Sequence, residues 1–275
     1  MAPAFCRATL NYVPDSGLNG GHPCPVEVDI LDARQATDLP GWETNGFELA
    51  THTSAVDDWT DDDEIAATHY AEIEELARKL TGADHALVSD HVKRNAETTK
   101  REREQAPVRL VHSDFADDYE HVVRHAYHEV HGRGAATLAR SGLTAEEIER
   151  APRIVMMQFW RNLGAPKMDL PVAFCDARTV TKAEVRPFLY TGYVAGGRSF
   201  NAVAITEPQP HDKHDWYAYP ELTAGEVVSF RTYDTDMIAT GETYFTPHSA
   251  FPDPDVEPGN PPRFSIELRV MCLFG

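Results

Sequence analysis

His112 and Asp114, two residues apart in Val111-His112-Ser113-Asp114-Phe115, are the pair in this sequence best suited to chemistry. On an extended strand such a pair projects to one side, so both can face one metal ion. His248 comes much later, in Thr246-Pro247-His248-Ser249-Ala250-Phe251, and Arg263 and Ser265 follow in Pro262-Arg263-Phe264-Ser265-Ile266. Two imidazoles and one carboxylate on one face of an iron leave the opposite positions open for a cosubstrate and oxygen. The planar fork of Arg263 suits the distal carboxylate of 2-oxoglutarate, and Ser265, alternate on the same strand, brings a hydroxyl to it. His-x-Asp by itself is weak in a chain with 13 histidines. The later histidine and the Arg-x-Ser give the reading its weight.

Other groupings carry less. His121, His125 and His128 have helical spacing, and His211 and His214 flank Asp212, but both sets read as solvated surface histidines. His128-Glu129-Val130-His131 spaces its histidines three apart, not four as in a zinc-protease helix. Gly196-Gly197 reads as a turn and not as a phosphate loop, and no Gly-x-Ser-x-Gly elbow is present.

Around the proposed centre, Gln158 shares a strand face with Trp160 and is a candidate for holding the cosubstrate. Trp160, Arg161, Arg94 and Arg269 are candidates for contacting substrate. Each has a structural alternative, for Arg161 a pairing with Asp176. Trp216, Tyr217 and Tyr219 read as core or rim aromatics.

The elements that must position these residues follow from periodicity. Ile65, Ile73, Leu76 and Leu80 predict a helix over 61–81, with acid in its first turn and Gly82 as its C-terminal cap. A second amphipathic stretch is expected over 84–105, ending in the charged run Lys100-Arg101-Glu102-Arg103-Glu104. Val108–His112 reads as a strand, 117–131 as helical, and Thr144-Ala145-Glu146-Glu147 as a capping box. From Ile154 the texture is strands: 154–160, 171–175, 203–205, 216–219, 227–233, 243–246 and 264–273. The first 55 or so residues look like an irregular arm with one or two edge strands.

This pattern predicts one domain over 1–275, mainly β with flanking helices. Residues 1–106 would form an arm and helices packing on a jelly-roll core, a double-stranded β-helix or cupin-like barrel, over 107–275.

Composition bounds the function. Twenty-five basic residues against 44 acidic give a net charge of −19, which argues against nucleic acid and anionic membrane surfaces as partners. No run approaches the ~18 apolar residues of a membrane span, and no signal peptide is visible. Cys6, Cys24, Cys175 and Cys272 lack Cys-x-x-Cys spacing, which suits reduced thiols in the cytoplasm.

The chain resembles the non-haem iron, 2-oxoglutarate-dependent oxygenases that include gibberellin-desaturase-like proteins, the cephalosporin 7α-hydroxylase partner protein and fungal aziridine-forming oxygenases. The resemblance rests on Leu10-Asn11-Tyr12, Asp90-His91-Val92-Lys93-Arg94 and Val111–Phe115. It continues through Gln158-Phe159-Trp160-Arg161, Leu170–Asp176, His248-Ser249-Ala250-Phe251 and Arg263–Arg269. Gln158 and Asn162 stand where other members often carry Asn and Pro. The resemblance implies Fe(II), 2-oxoglutarate and O2 as cofactor and cosubstrates. It also implies a small amino-acid or peptide-like metabolite of specialised biosynthesis as substrate, with hydroxylation, desaturation or ring closure such as aziridine formation as outcome. A homodimer is compatible with it. The alternatives are a jelly-roll metal enzyme that does not use 2-oxoglutarate, and a non-catalytic metal-binding accessory to a biosynthetic partner.

Overall fold

A computed structural model describes residues 2–18, 22–95, 106–190, 199–257 and 259–275. The charged run at 100–104 and Gly196-Gly197 lie outside the described residues. Thirteen strands are seen among the described residues, in two hydrogen-bonded sheets. The larger has the order β1-β2-β10-β7-β12-β5-β9-β8. In chain order its members are β1 (Ala4–Tyr12), β2 (Cys24–Asp32), β5 (His112–Ser113), β7 (Val172–Cys175), β8 (Val185–Tyr190), β9 (Phe200–Ile205), β10 (Trp216–Ala218) and β12 (His248–Ala250). The smaller has the order β3-β11-β6-β13-β4, from β3 (Phe47–Thr51), β4 (His85–Arg94), β6 (Arg153–Asn162), β11 (Glu226–Asp234) and β13 (Ser265–Phe274). The sheets do not close hydrogen bond to hydrogen bond into a barrel; they face each other as the two halves of a jelly roll.

β6 shows why its residues make a strand. Ile154, Met156, Gln158 and Trp160 point between the sheets, while Val155, Met157, Phe159 and Arg161 point to the outer face. Covered on both sides, the strand is buried along nearly its whole length, with an unbroken apolar run from Ile154 to Met157.

Helices cover the outer face of the smaller sheet. Asp61 caps α1 (Asp62–Glu64), its side chain accepting from the Asp63 and Glu64 amides, so the acidic run at 61–64 serves a helix start. A π-helical turn, Ile65–His69, leads into α2 (Tyr70–Thr81). Ile73, Leu76 and Ala77 of α2 pack on Val88, Val155 and Val270 of the sheet. Gly82 ends α2 at φ 73°, where its N–H reaches the Arg78 carbonyl.

Between the strands of the site lie α3 (Glu120–Arg124), α4 (Gly132–Ser141) and α5 (Ala145–Glu149); α6 (Thr235–Thr240) follows β11. Thr144 and Glu147 form the expected capping box of α5.

Four expectations change. The first 106 residues are not an arm and helices laid on a core, because β1 and β2 belong to the larger sheet and β3 and β4 to the smaller. β4 pairs with β13 along most of its length and β3 with β11. The stretch from 84 is therefore a strand to Arg94: its Val and Ala residues satisfy β13's open edge, and this outweighs its helical periodicity. Residues 117–131 hold only a 3₁₀ turn, Asp117–Tyr119, and the short α3, followed by turns. Thr243–Thr246 is irregular, and the strand begins at His248.

Candidate metal and cosubstrate site

His112 and His248 stand directly opposite each other on the neighbouring antiparallel strands β5 and β12. That pairing closes the long sequence gap between them, since cross-strand partners bring their Cβ atoms to ~5 Å. The ring centroids are 4.4 Å apart. Asp114, two residues past His112, turns to the same side. One ligand atom from each of His112, Asp114 and His248 lies within 4.8 Å of the others. Among the described residues this is the one cluster of at least three His, Cys, Asp or Glu side chains so arranged.

Both imidazoles are set by the backbone. His112 Nδ1 lies 2.8 Å from the Leu110 carbonyl and His248 Nδ1 3.1 Å from the Thr246 carbonyl. A carbonyl only accepts, so each Nδ1 carries a proton and Nε2 is the nitrogen turned to ligate. Burial, then the neighbouring His112, pushes His248 down to about 4, so it stays neutral at ordinary pH. Asp114 Oδ2 is buried without a hydrogen-bond partner, while Oδ1 lies 4.0 Å from the Arg269 guanidinium. A buried carboxylate oxygen left unsatisfied is costly. Two imidazole Nε2 atoms and one such oxygen fit a divalent iron.

The cluster opens into a cavity between the sheets with up to about 840 Å³ of empty space counting its mouth. The cavity takes Gln158 and Trp160 from β6, Glu267 and Arg269 from β13, and Arg94 from β4. Arg263 also lines it and is 5% exposed. Its Nε donates to Ser265 Oγ at 2.8 Å, one terminal nitrogen donates to the Leu170 carbonyl at 3.1 Å, and its guanidinium lies 4.9 Å from the Trp160 ring centre. No carboxylate lies within ion-pair distance of Arg263 among the described residues. Burial, then repulsion from Arg94, pushes it down to about 9. Arg94 instead forks onto Glu267, at 2.7 and 3.3 Å, and donates to the Ala106 carbonyl at 2.7 Å. Glu267, though buried, is held at about 2 by Arg94 and the other two arginines against the opposing effect of burial.

Most of the expected residues thus meet in one cavity: His112, Asp114, His248, Gln158, Trp160, Arg94, Arg263 and Arg269. Ser265 stands just outside the lining and touches the site through Arg263. Arg161 does not belong to the site. It projects from the outer face of β6, donates to the His52 and Ala224 carbonyls and to His52 Nδ1, and lies 5.7 Å from the Trp59 ring centre. Its expected partner Asp176 is taken by Arg178 and Asn45.

His121 and His125 pair ring to ring, and His125 and His128 face Glu149 at the surface. His214 is buried, contrary to its surface reading, and bonds Tyr12 within the core. Trp216 is likewise core. Sequence reasoning missed Glu267, although the inward alternation from Ser265 to Arg269 passes through it. It also missed Phe188 and Tyr190, because β8 was not foreseen, and Phe200, because β9 begins three residues before the expected strand at 203–205.

The chain is similar to known proteins over nearly its whole length. The family model described as "Oxidoreductase/YMDC permease-like domain" matches residues 9–273. The "Fe(II)/2-oxoglutarate-dependent dioxygenase nvfI" of Aspergillus novofumigatus is 26% identical over 260 residues, 91% of this chain and 84% of that one. The "Gibberellin cluster GA4 desaturase" of Gibberella fujikuroi is 23% identical over 316 residues, 95% and 91% of the two chains. A solved structure of the iron and alpha-ketoglutarate-dependent endoperoxidase NvfI superposes with a TM-score of 0.80 at 20% identity, covering 100% of this chain and 99% of that one.

Proposed function

Because the chain belongs to the oxidoreductase/YMDC permease-like family and is an Fe(II)/2-oxoglutarate-dependent oxygenase, we propose that His112, Asp114 and His248 hold its iron and that Arg263 binds its 2-oxoglutarate. The observation that carries the reading is the pairing, in one cavity, of the His-Asp-His cluster with a buried arginine that has no carboxylate of its own. Loaded with iron and 2-oxoglutarate, the site supplies oxidation of an unactivated C–H bond by O2, coupled to decarboxylation of the cosubstrate to succinate.

The chain's own residues bind, orient and exclude. The Leu110 and Thr246 carbonyls hold the two imidazoles in the tautomer that presents Nε2. Ser265 and Leu170 fix two edges of the Arg263 guanidinium, leaving the remaining donors for the distal carboxylate. Gln158, across from Arg269 on β6, offers an amide to the same ligand. Trp160 stacks on Arg263 and keeps water off that pair, which strengthens it. Arg94 is committed to Glu267 and shapes the wall.

The substrate is a small molecule, and the outcome is hydroxylation, desaturation or ring closure. A reducing cytoplasm and a homodimer complete the reading. The four cysteines are free, and no described helix is long and apolar enough to cross a membrane. Light scattering of the purified protein tests the dimer.

Anaerobic titration with Fe(II) and 2-oxoglutarate tests the centre. The visible charge-transfer band of the chelate should appear in the native protein and vanish in His112→Ala and His248→Ala, with circular dichroism unchanged. A band of full strength in either variant rejects the ligand assignment.

A further inference from the structure

A second chamber lies against the iron cavity, and the described contacts give it no role in holding the metal or cosubstrate. It opens beneath α3, α4 and the turns between them, with up to about 1700 Å³ of empty space counting its mouth. Phe200 and Arg269 line both cavities. The position of the shared wall follows from the strand order. β9, carrying Phe200, neighbours β5, which carries His112, and Phe115 directly follows Asp114 in sequence.

The shared wall is aromatic. Phe115 stacks on Tyr119 at 4.2 Å, and Phe200 meets Phe115 at 5.6 Å and Tyr119 at 5.7 Å. Deeper in, Val123, Met156 and Met271 make the floor apolar, and all three belong to the main core. Tyr127 is 3% exposed, and its buried hydroxyl has no hydrogen-bond partner. Burial raises its pKa further, so this hydroxyl stays protonated. Of the charged groups facing the chamber, Asp90, Glu129 and His131 are exposed and belong to its mouth, while Arg269 stands on the shared wall, 4.0 Å from Asp114.

A chamber of this kind rewards apolar area, and its floor of Val123, Met156 and Met271 gives an ionised headgroup no partner. Each Å² removed from water is worth ~25 cal/mol, and a carboxylate or ammonium placed on this floor would lose its hydration unpaired. We propose that this chamber is the recognition subsite for the substrate's body, a neutral, largely apolar ring system or chain carrying hydroxyl or carbonyl oxygens. The body lies beneath α3 and α4, and the aromatic wall at Phe200 delivers one C–H bond to the iron. This rests on the oxygenase reading above and extends it to substrate class.

The test uses the full chain loaded anaerobically with Mn(II) and 2-oxoglutarate. Neutral cyclic probes of rising size, from camphor to testosterone, are titrated by calorimetry, with phenylalanine and glutamate as charged controls. Two fillings of the chamber, Ala126→Trp and Val122→Trp, sit on its helical side, away from every proposed ligand. The expected result is saturable binding of at least one neutral probe, weakened tenfold or more by either filling, with Mn(II) and 2-oxoglutarate affinities unchanged.

Two results overturn the proposal: no neutral probe binding while the amino acids do or do not bind, or a bound probe indifferent to both fillings in folded protein. Loss of Mn(II) and 2-oxoglutarate binding in the native chain would instead refute the catalytic reading, and is scored separately.

Discussion

Arg263 and Arg161 look alike in the sequence, each beside an aromatic residue in a strand-like stretch, yet the structure gives them opposite work. Arg263 is buried in the cavity without an acidic partner. Arg161 is spent on two backbone carbonyls and a histidine behind the sheet. The difference is strand parity. Gln158 and Trp160 face inward, so Arg161, one residue on, must face outward. That inference was available from the sequence alone and contradicts a substrate role for Arg161. The Arg263 pocket was legible because Arg-x-Ser keeps one parity, but the Nε bond to Ser265 Oγ was not, since it depends on a rotamer.

Two outcomes separate these arginines. Arg263→Leu should raise the 2-oxoglutarate KM by about 10- to 100-fold, the scale of losing a charge-assisted pair of roughly 1.5–3 kcal/mol. An unchanged KM in initial-rate assays of succinate would move the cosubstrate elsewhere. Arg161→Ala should leave that KM alone and lower the urea midpoint, because the part-buried His52 and Ala224 carbonyls lose their donor, at about 0.5–1.5 kcal/mol each.

At the scale of elements, the site depends on β13 lying between β6 and β4. Ser265, Glu267 and Arg269 face Asn162, Trp160 and Gln158 across one edge, and Arg94 stands opposite Ser265 across the other. This placement brings three arginines around the single carboxylate of Glu267. Its fork with Arg94 joins β4 to β13 at the cavity wall.

β13 and β6 were foreseen because their apolar runs are long and rich in β-formers. β4 was not, because its identity as a strand comes from a partner nearly two hundred residues away. Local periodicity carries no information about such a partner. The same holds for β12, only three residues long, whose pairing with β5 nonetheless assembles the histidines. Glu267→Gln should destabilise the fold by about 3–5 kcal/mol, since it strands the Arg94 charge in the interior. Arg94→Met combined with Glu267→Leu should recover most of that loss in urea titrations. If the double variant is no more stable than Glu267→Gln, the pair is not what the single change disrupts.

For the molecule as a whole, the strands of the first hundred residues are divided between the two sheets, and the layer outside the smaller sheet holds buried titratable groups that tie stability to pH. His69, on the π-helical turn, is fully buried between Trp59 and the sheet-facing side of α2, with its Nδ1 2.9 Å from Glu72. Burial pushes its pKa down to about 4, only partly offset by the Glu72 carboxylate. Glu72 is itself shifted below its ordinary range by bonds from the Ala55 amide, His69 and Ser54, which outweigh its burial.

Both folded-state values lie below their unfolded ones, so both groups favour the native state most at high pH. The contribution of His69 is complete above its unfolded value of 6.5, and it is lost as pH falls through 6.5 towards about 4. Other carboxylates held low, such as Glu184 and Glu226, act in the same direction but at lower pH. Shedding negative charge from a chain at −19 acts the opposite way by easing self-repulsion. A difference measurement isolates the histidine. The urea-derived unfolding free energy of the native chain should fall more steeply between pH 6.5 and 4 than that of His69→Gln, and the two slopes should agree above pH 7. Parallel curves throughout would mean that His69 is protonated in the folded protein and that the packing around it admits charge.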